Sequence, residues 1–289
     1  MLIQDSQQDM ADLRRAVALL EAPTITARLA NLVGSPLELA LKRLPGAVTR
    51  QIDAAVRTAL DKSSQVALWS LDKGAPKKSS VLGHKLAAAA SGALGGAFGM
   101  SALLVELPVS TTIIMRAVAD IAREEGFDMQ SIETKHACIE VFALGGRSSG
   151  DDAAETGYYV ARSFTAEAMR GLSQELASMA AKKATGAALH MSPQQAGRWL
   201  ARLVEKVASR FGVVVTQKFA AQAVPVIGAV SGAAINTMFT SYYQDMARGH
   251  FIVKRLEARY GAAEVEQAYR ALAQLRASGS VAAGGRVTD

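Results

Sequence analysis

LAAAASGALGGAFGMSALLV (residues 86–105) and FAAQAVPVIGAVSGAAINTMFTSYYQ (residues 219–244) decide the fold class. Neither contains Asp, Glu, Lys, Arg or His. They run 20 and 26 residues, between Lys85 and Glu106 and between Lys218 and Asp245. Twenty helical residues span about 30 Å, the hydrocarbon thickness of a bilayer. Glycines four apart, Gly92/Gly96, Gly95/Gly99 and Gly228/Gly232, form a smooth groove in which two helix backbones approach closely. Ala, Gly and Ser gain little from hydrocarbon, and Gln222, Pro225 and Asn236 are poor lipid neighbours. The reading is therefore a central helix pair sheltered by the rest of the chain, with insertion into a bilayer as the alternative.

Outward from these runs, strand-type alternation is almost absent and the punctuation is helical. A helix is expected from about Thr49 to Lys73, with Ile52, Val56, Leu60, Ala67 and Leu71 on one side. Pro108 suits the first turn of a helix that ends at Gly126, where a left-handed cap is natural. Ser131 opens a helix that stops at Gly145-Gly146, and Asp151 or Asp152 caps another that runs to about Lys183. Ser192-Pro193-Gln194-Gln195 has the form of a capping box. Pro225 interrupts the helical stretch beyond it; a long helix then reaches Tyr260 and Gly261, and a last one covers about Ala263–Ala277. The fold class is all-α, a multi-helix bundle around a Gly/Ala-rich helix pair. The expected division is a helical N-terminal extension at 1–44, a helical domain at 45–277 and a flexible tail at 278–289.

The chain has 289 residues, half of them apolar, with one cysteine and 6% aromatics. One cysteine excludes a disulfide framework and a Cys-rich zinc module; so few aromatics argue against a base-stacking surface. The net charge of +6 conceals an acidic middle, with 6 positive and 12 negative residues over 86–181, and a basic block with 7 and 1 over 182–218. Within that block Arg198, Arg202, Lys206 and Arg210 recur every four residues, with Trp199, Leu200, Leu203, Val204, Val207 and Phe211 alongside. An amphipathic helix of this kind lies at an anionic membrane surface, each cation adding about 1 kcal/mol; the plainer reading is a solvated helix face. Nucleic acid is disfavoured as a partner, because no helix-turn-helix, zinc or RNP pattern accompanies the basic helix. The polar N-terminus lacks the basic-then-apolar order of a secretory signal, so the expected location is the cytoplasm, at the cytoplasmic face of the membrane.

The second constellation is polar. Thr112, Arg116 and Asp120 share a helix face; Glu106 and Glu140 need partners if buried; Asp152, Glu155, Tyr158, Tyr159 and Arg162 come later in the chain. Glu106, Arg116, Asp120, Glu140, Tyr158, Arg162 and Asn236 are the expected members of a buried network that either fixes helix register or anchors a ligand. Glu133 and His136 have the Glu-x-x-His spacing of a di-metal carboxylate bundle, with Glu140 a turn later, but such bundles need two copies. These three are the metal candidates. There is no HExxH, no GxxxxGK[ST] and no GxSxG. Cys138 sits in an apolar stretch, as a core residue does. No catalytic residue and no cofactor is assigned.

Several short motifs in series resemble the EcsC protein family. They are Gly92-Ala-Leu-Gly-Gly-Ala-Phe-Gly99, Glu106-Leu-Pro-Val-Ser-Thr-Thr-Ile-Ile-Met-Arg116, Ala119-Asp-Ile-Ala122 with Gly126-Phe-Asp128, and Glu140-Val-Phe-Ala-Leu-Gly145. Tyr158-Tyr159, Arg162, Pro225-Val-Ile-Gly-Ala229, Gly232-Ala-Ala-Ile-Asn236, Ala247-Arg248, His250-Phe251, Leu256-Glu257 and Tyr260-Gly261 complete the series. The resemblance covers about 45–261. It implies an α-helical, membrane-linked protein, since the family takes its name from a protein encoded beside an ABC-type transporter implicated in secretion and membrane processes. Some members carry a hydrolase or peptidase label, for which this sequence offers no nucleophile or metal-ligand set. The expected function is a non-enzymatic accessory to a membrane transport, secretion or lipid process, its partner an anionic lipid surface, a transporter component or both. A hydrolase with a buried polar or metal site and a soluble interaction module are the alternatives.

Overall fold

A computed structural model describes residues 2–65, 99–145, 157–184, 193–222 and 228–284. Among these residues there are ten α-helices and no strand. They are α1 (Gln7–Leu20), α2 (Ile25–Val33), α3 (Ser35–Arg43), α4 (Gly46–Ser63), α5 (Gly99–Glu124), α6 (Ile132–Glu140), α7 (Gly157–Ala184), α8 (Pro193–Gln222), α9 (Gly228–Tyr260) and α10 (Ala262–Gly284). Short 3-10 turns lie at Ile3–Asp5 and Val141–Gly145. The protein is an all-α multi-helix bundle.

Two long helices organise it. Helix α9, 33 residues long, packs against α1, α5 and α10, while α8, 30 residues long, gathers α2, α3, α4, α6 and α7. Helices α4 and α5 pack together, and the 3-10 turn Val141–Gly145 sits where both long helices reach it. There Phe142 stacks on Tyr243 and meets Phe211 edge-on, each at 5.1 Å between ring centroids. All three rings are buried. Aromatic pairs in these geometries add to the stabilisation that area burial alone provides.

Local signals explain several boundaries. The Ser131 hydroxyl accepts from the Thr134 N–H, as its N-cap position requires. Gly126 and Gly261 both take φ of +89° after α5 and α9, a conformation that costs glycine little. Other boundaries differ from the sequence expectation. Pro108 lies inside α5, which starts at Gly99. A proline there leaves the Leu104 carbonyl without its usual N–H partner, and the Thr112 hydroxyl back-bonds the Pro108 carbonyl at 2.7 Å. Helix α6 tightens into a 3-10 turn at Val141. Helix α10 continues to Gly284, past the expected end near Ala277.

Residues 2–44 contribute to the same core as the rest. Ile3, Leu13, Ala16, Val17, Leu20, Ile25 and Leu29 belong to one buried cluster with residues of α4 to α10. Asp9, 3% exposed, accepts from Tyr260 Oη at 2.5 Å and from Arg259 at 2.9 Å. Asp12 pairs with Arg255 at 2.9 Å. Glu21 accepts from Tyr269 Oη at 2.8 Å and from the Tyr158 N–H at the start of α7. The expected boundary at 44/45 is therefore crossed by buried contacts in both directions.

Candidate functional site

Two places carry the residues singled out from the sequence: the outer face of α8 and the polar clusters inside the bundle. On α8, Arg198 and Arg202 are exposed, Trp199 and Lys206 are half-buried, and Arg210 is 6% exposed. The expected ladder of four solvent-facing cations is thus reduced at its inner end. The cause is α7, which lies across α8. Phe164 of α7 sits under Arg210 at 5.1 Å and Lys206 at 5.7 Å. One side of the Trp199 indole lies so close to Gly171 that a Cβ there would be 2.6 Å from Cη2, so only glycine admits the ring. Its face holds the Arg202 guanidinium at 5.0 Å. What remains open is Arg198, Arg202 and the Phe164 ring, which is 41% exposed.

The network expected from the sequence exists as separate clusters. The first joins α5, α8 and α9. Glu106 Oε1 accepts from Lys218 Nζ at 2.7 Å and from Asn236 Nδ2 at 2.9 Å. All three are buried, at 5%, 2% and 1% exposure. Burial pulls the Lys218 ammonium below the usual lysine range, against the opposing pull of Glu106. This contact sets Glu106, the residue that follows the first charge-free run, against Asn236 of the second; residues 86–98 of the first run lie outside the described residues.

The second cluster joins α6, α7 and α9. Glu140 accepts from the Thr165 hydroxyl, and His250 Nε2 stands 3.6 Å from its other oxygen. His250 Nδ1 faces Tyr158 Oη at 3.0 Å. Burial holds His250 well below the ordinary histidine range, with Lys254 and Arg162 acting the same way, so the ring is neutral. The Nε2–H tautomer suits both neighbours: it lets Nδ1 accept from Tyr158 and turns the N–H towards Glu140, at 3.6 Å too far for a hydrogen bond. Tyr158, also raised by burial, stays protonated and donates. One turn along α7, Arg162 makes a bidentate pair with Glu257 at 2.5 and 2.7 Å. Glu140, Tyr158 and His250 are each at most 2% exposed, so this chain of groups ties three helices together.

Arg116 and Asp120 are not part of either cluster. Arg116 is exposed, and Asp120 is 3.6 Å from Arg123. The metal candidates do not assemble. Glu133 is exposed and accepts from Ser131 Oγ at 2.5 Å. His136 is buried and held down to about 4 by burial, and Glu140 is engaged by Thr165 and His250. Among the described residues no three His, Cys, Asp or Glu side chains gather to hold a metal ion. Cys138 is buried, which pushes its thiol up and keeps it protonated. Gly92, Gly95, Gly96, Asp152 and Glu155 lie outside the described residues; Gly99, Gly228 and Gly232 fall at or near the first turns of α5 and α9.

Lys218, Thr165, His250 and Glu257 are the partners that sequence reading did not assign. Their signal is position: Lys218 follows Phe211, Val214 and Val215 on the buried stripe of α8, and His250 follows Tyr243, Met246 and Ala247 on that of α9. A charged or titratable group at an apolar helical position needs a buried partner.

No single described helix is long and apolar enough to cross a membrane; α1 and α2 taken together, bent by 46°, pass by length and composition. Leu13, Ala16, Val17, Leu20, Ile25, Leu29 and Val33 of these helices are in the core, while Leu32 is exposed. The family model described as the EcsC protein family matches residues 8–256, which brings the N-terminal helices into the match. No curated protein and no solved structure matches the chain.

Proposed function

The chain belongs to the EcsC family, and from that premise we propose that it is a non-enzymatic accessory to a membrane transport, secretion or lipid process, docking on the anionic cytoplasmic membrane face. The observation that carries this reading is the α7–α8 face, where Arg198 and Arg202 of α8 are exposed and, further along the same helix, the 41% exposed Phe164 ring of α7 lies against Lys206 and Arg210. Exposed cations on a helix whose flank also presents an apolar ring match a surface of anionic headgroups over acyl chains. Trp199 serves here as a shelf that holds Arg202 outward, and Arg210 as part of the helix packing. The buried clusters give the scaffold its rigidity.

Co-sedimentation with vesicles tests the docking. At low salt the protein binds phosphatidylserine-containing vesicles and leaves pure phosphatidylcholine vesicles alone. With about 1 kcal/mol per cation near the surface, Arg198→Glu/Arg202→Glu forfeits at least about 2 kcal/mol, a roughly 30-fold loss of affinity. Binding that is absent at low salt, or unaltered by the double reversal, dismisses the reading.

A further inference from the structure

We infer that the bundle holds one ordered water molecule in the cavity between α5, α8 and α9, as a built-in part of the Glu106–Lys218–Asn236 cluster. The cavity measures about 10 Å³, room for a single water. Apolar side chains, Leu107, Ile114, Phe211, Val215 and Phe239, form most of its wall. Lys218, Thr111 and Thr240 also face it, and these decide what it takes. Thr111 is 0% and Thr240 1% exposed, yet the hydroxyl oxygens of both are without a hydrogen-bond partner among the described residues. An empty apolar cavity stays dry, but a cavity with two to four unmatched polar groups retains its water.

Lys218 supplies the third reason. An ammonium carries three N–H donors. One goes to Glu106, and the Phe239 ring lies 5.3 Å away on another side. A water in the cavity accepts from Lys218 and from one threonine hydroxyl, and donates to the other. All three groups are then matched at once. The ligand is water because the space admits nothing larger, and Glu106 with Lys218 already balances the charge. The consequence for the protein is a buried cluster in which the polar groups around Lys218 all have partners.

Oxygen-17 magnetic relaxation dispersion counts internal waters that stay long enough to tumble with the protein. The Thr111→Val/Thr240→Val variant keeps the volume and removes both hydroxyls; it is expected to show one fewer long-lived water than the wild type, and Thr111→Ser/Thr240→Ser to restore it. An equal count in all three proteins overturns the inference. If the valine variant fails to fold, a high-resolution crystal structure of the wild type decides alone. A water peak within hydrogen-bond distance of both threonine hydroxyls supports the site, and a cavity without one overturns it.

Discussion

Glu106→Gln isolates the energetics of the buried charge cluster. The substitution preserves shape and leaves a carbonyl for Asn236, but removes the negative charge 2.7 Å from Lys218 Nζ. Lys218 is 2% exposed, so bulk solvent cannot replace the lost charge, and a single internal water is no counter-charge. Stranding one member of a buried pair costs about 3–5 kcal/mol. With a urea slope of about 3 kcal/mol/M, the upper end for a small protein, the unfolding midpoint falls by about 1 M or more. Urea melts followed by circular dichroism read this directly. Glu106→Gln/Lys218→Met, which removes both charges, is expected to recover most of the loss, because an ion pair replaced by apolar volume is often neutral.

The same variant carries a pH signature. Burial already holds the Lys218 pKa below its unfolded value. Without Glu106 to oppose burial it falls further. A folded state that gives up a proton the unfolded state keeps becomes more stable as pH rises towards the unfolded lysine pKa of about 10.4. Glu106→Gln therefore regains stability relative to the wild type as pH rises towards about 10.4. A loss below about 1 kcal/mol, well short of the cost of a stranded charge, refutes the stranded-ammonium argument; so does a loss that is flat with pH.

Gly249→Ala puts a Cβ 2.5 Å from Leu20 Cγ, where α1 rests on α9. Overpacking of this kind costs about 1–3 kcal/mol, whereas Gly197→Ala, exposed and with nothing within 4 Å, gains up to about 1 kcal/mol of helix propensity; equal effects in thermal melts would contradict the close approach. His136, held down to about 4 from 6.5, takes up its proton earlier in the unfolded state. Stability at this residue is intact above pH 6.5 and declines down to about pH 4, by about 3 kcal/mol in all at 1.36 kcal/mol per pKa unit. Urea midpoints of the wild type and His136→Gln across pH 4–7 check this: the variant's curve should be the flatter.

What the sequence makes legible is what local chemistry decides. Ser131 caps a helix because its own oxygen reaches Thr134 three residues on, and Gly126 and Gly261 end helices because only their own φ matters. Pro108 misleads because the first-turn preference of proline is a rule of thumb, and the residues from Gly99 onward before it are helical too. Partner choice is a long-range matter. Asp9 and Asp12 read as an acidic terminus, and nothing near them announces Arg255 and Arg259, some 250 residues away. The cationic ladder on α8 has its periodicity, but whether α7 covers it depends on a glycine at 171 that admits Trp199 and thereby sets how closely the helices approach. The expected single network resolves into separate clusters for the same reason: Glu106 and Glu140 both need partners, and only the packing of α9 assigns Asn236 to one and His250 to the other.

That assignment obeys a pattern along α9 itself. Asn236, Tyr243, His250 and Glu257 recur every seven residues, and a heptad drifts only about 20° around a straight helix, so the four share one stripe. Each meets a different element: Asn236 touches Glu106 of α5, and Tyr243 lies against Gly145 of the 3-10 turn. His250 reaches Tyr158 and Glu140, and Glu257 clasps Arg162. The buried apolar face of α9, with Ile235, Phe239, Tyr242, Met246, Phe251, Ile252 and Leu256, resists a shift along the axis through its shape, and the polar stripe adds a penalty of its own. A one-turn slip moves α9 by about 5.4 Å, twice the length of the bonds to Glu106 and Arg162, so it would break both and leave buried charges unmatched. Hydrophobic burial thus drives α9 into the bundle, while the polar stripe helps select its register. That division gives the ionisable groups a role inside an otherwise apolar core: a misaligned α9 would leave them unmatched, a penalty beyond the loss of its apolar packing.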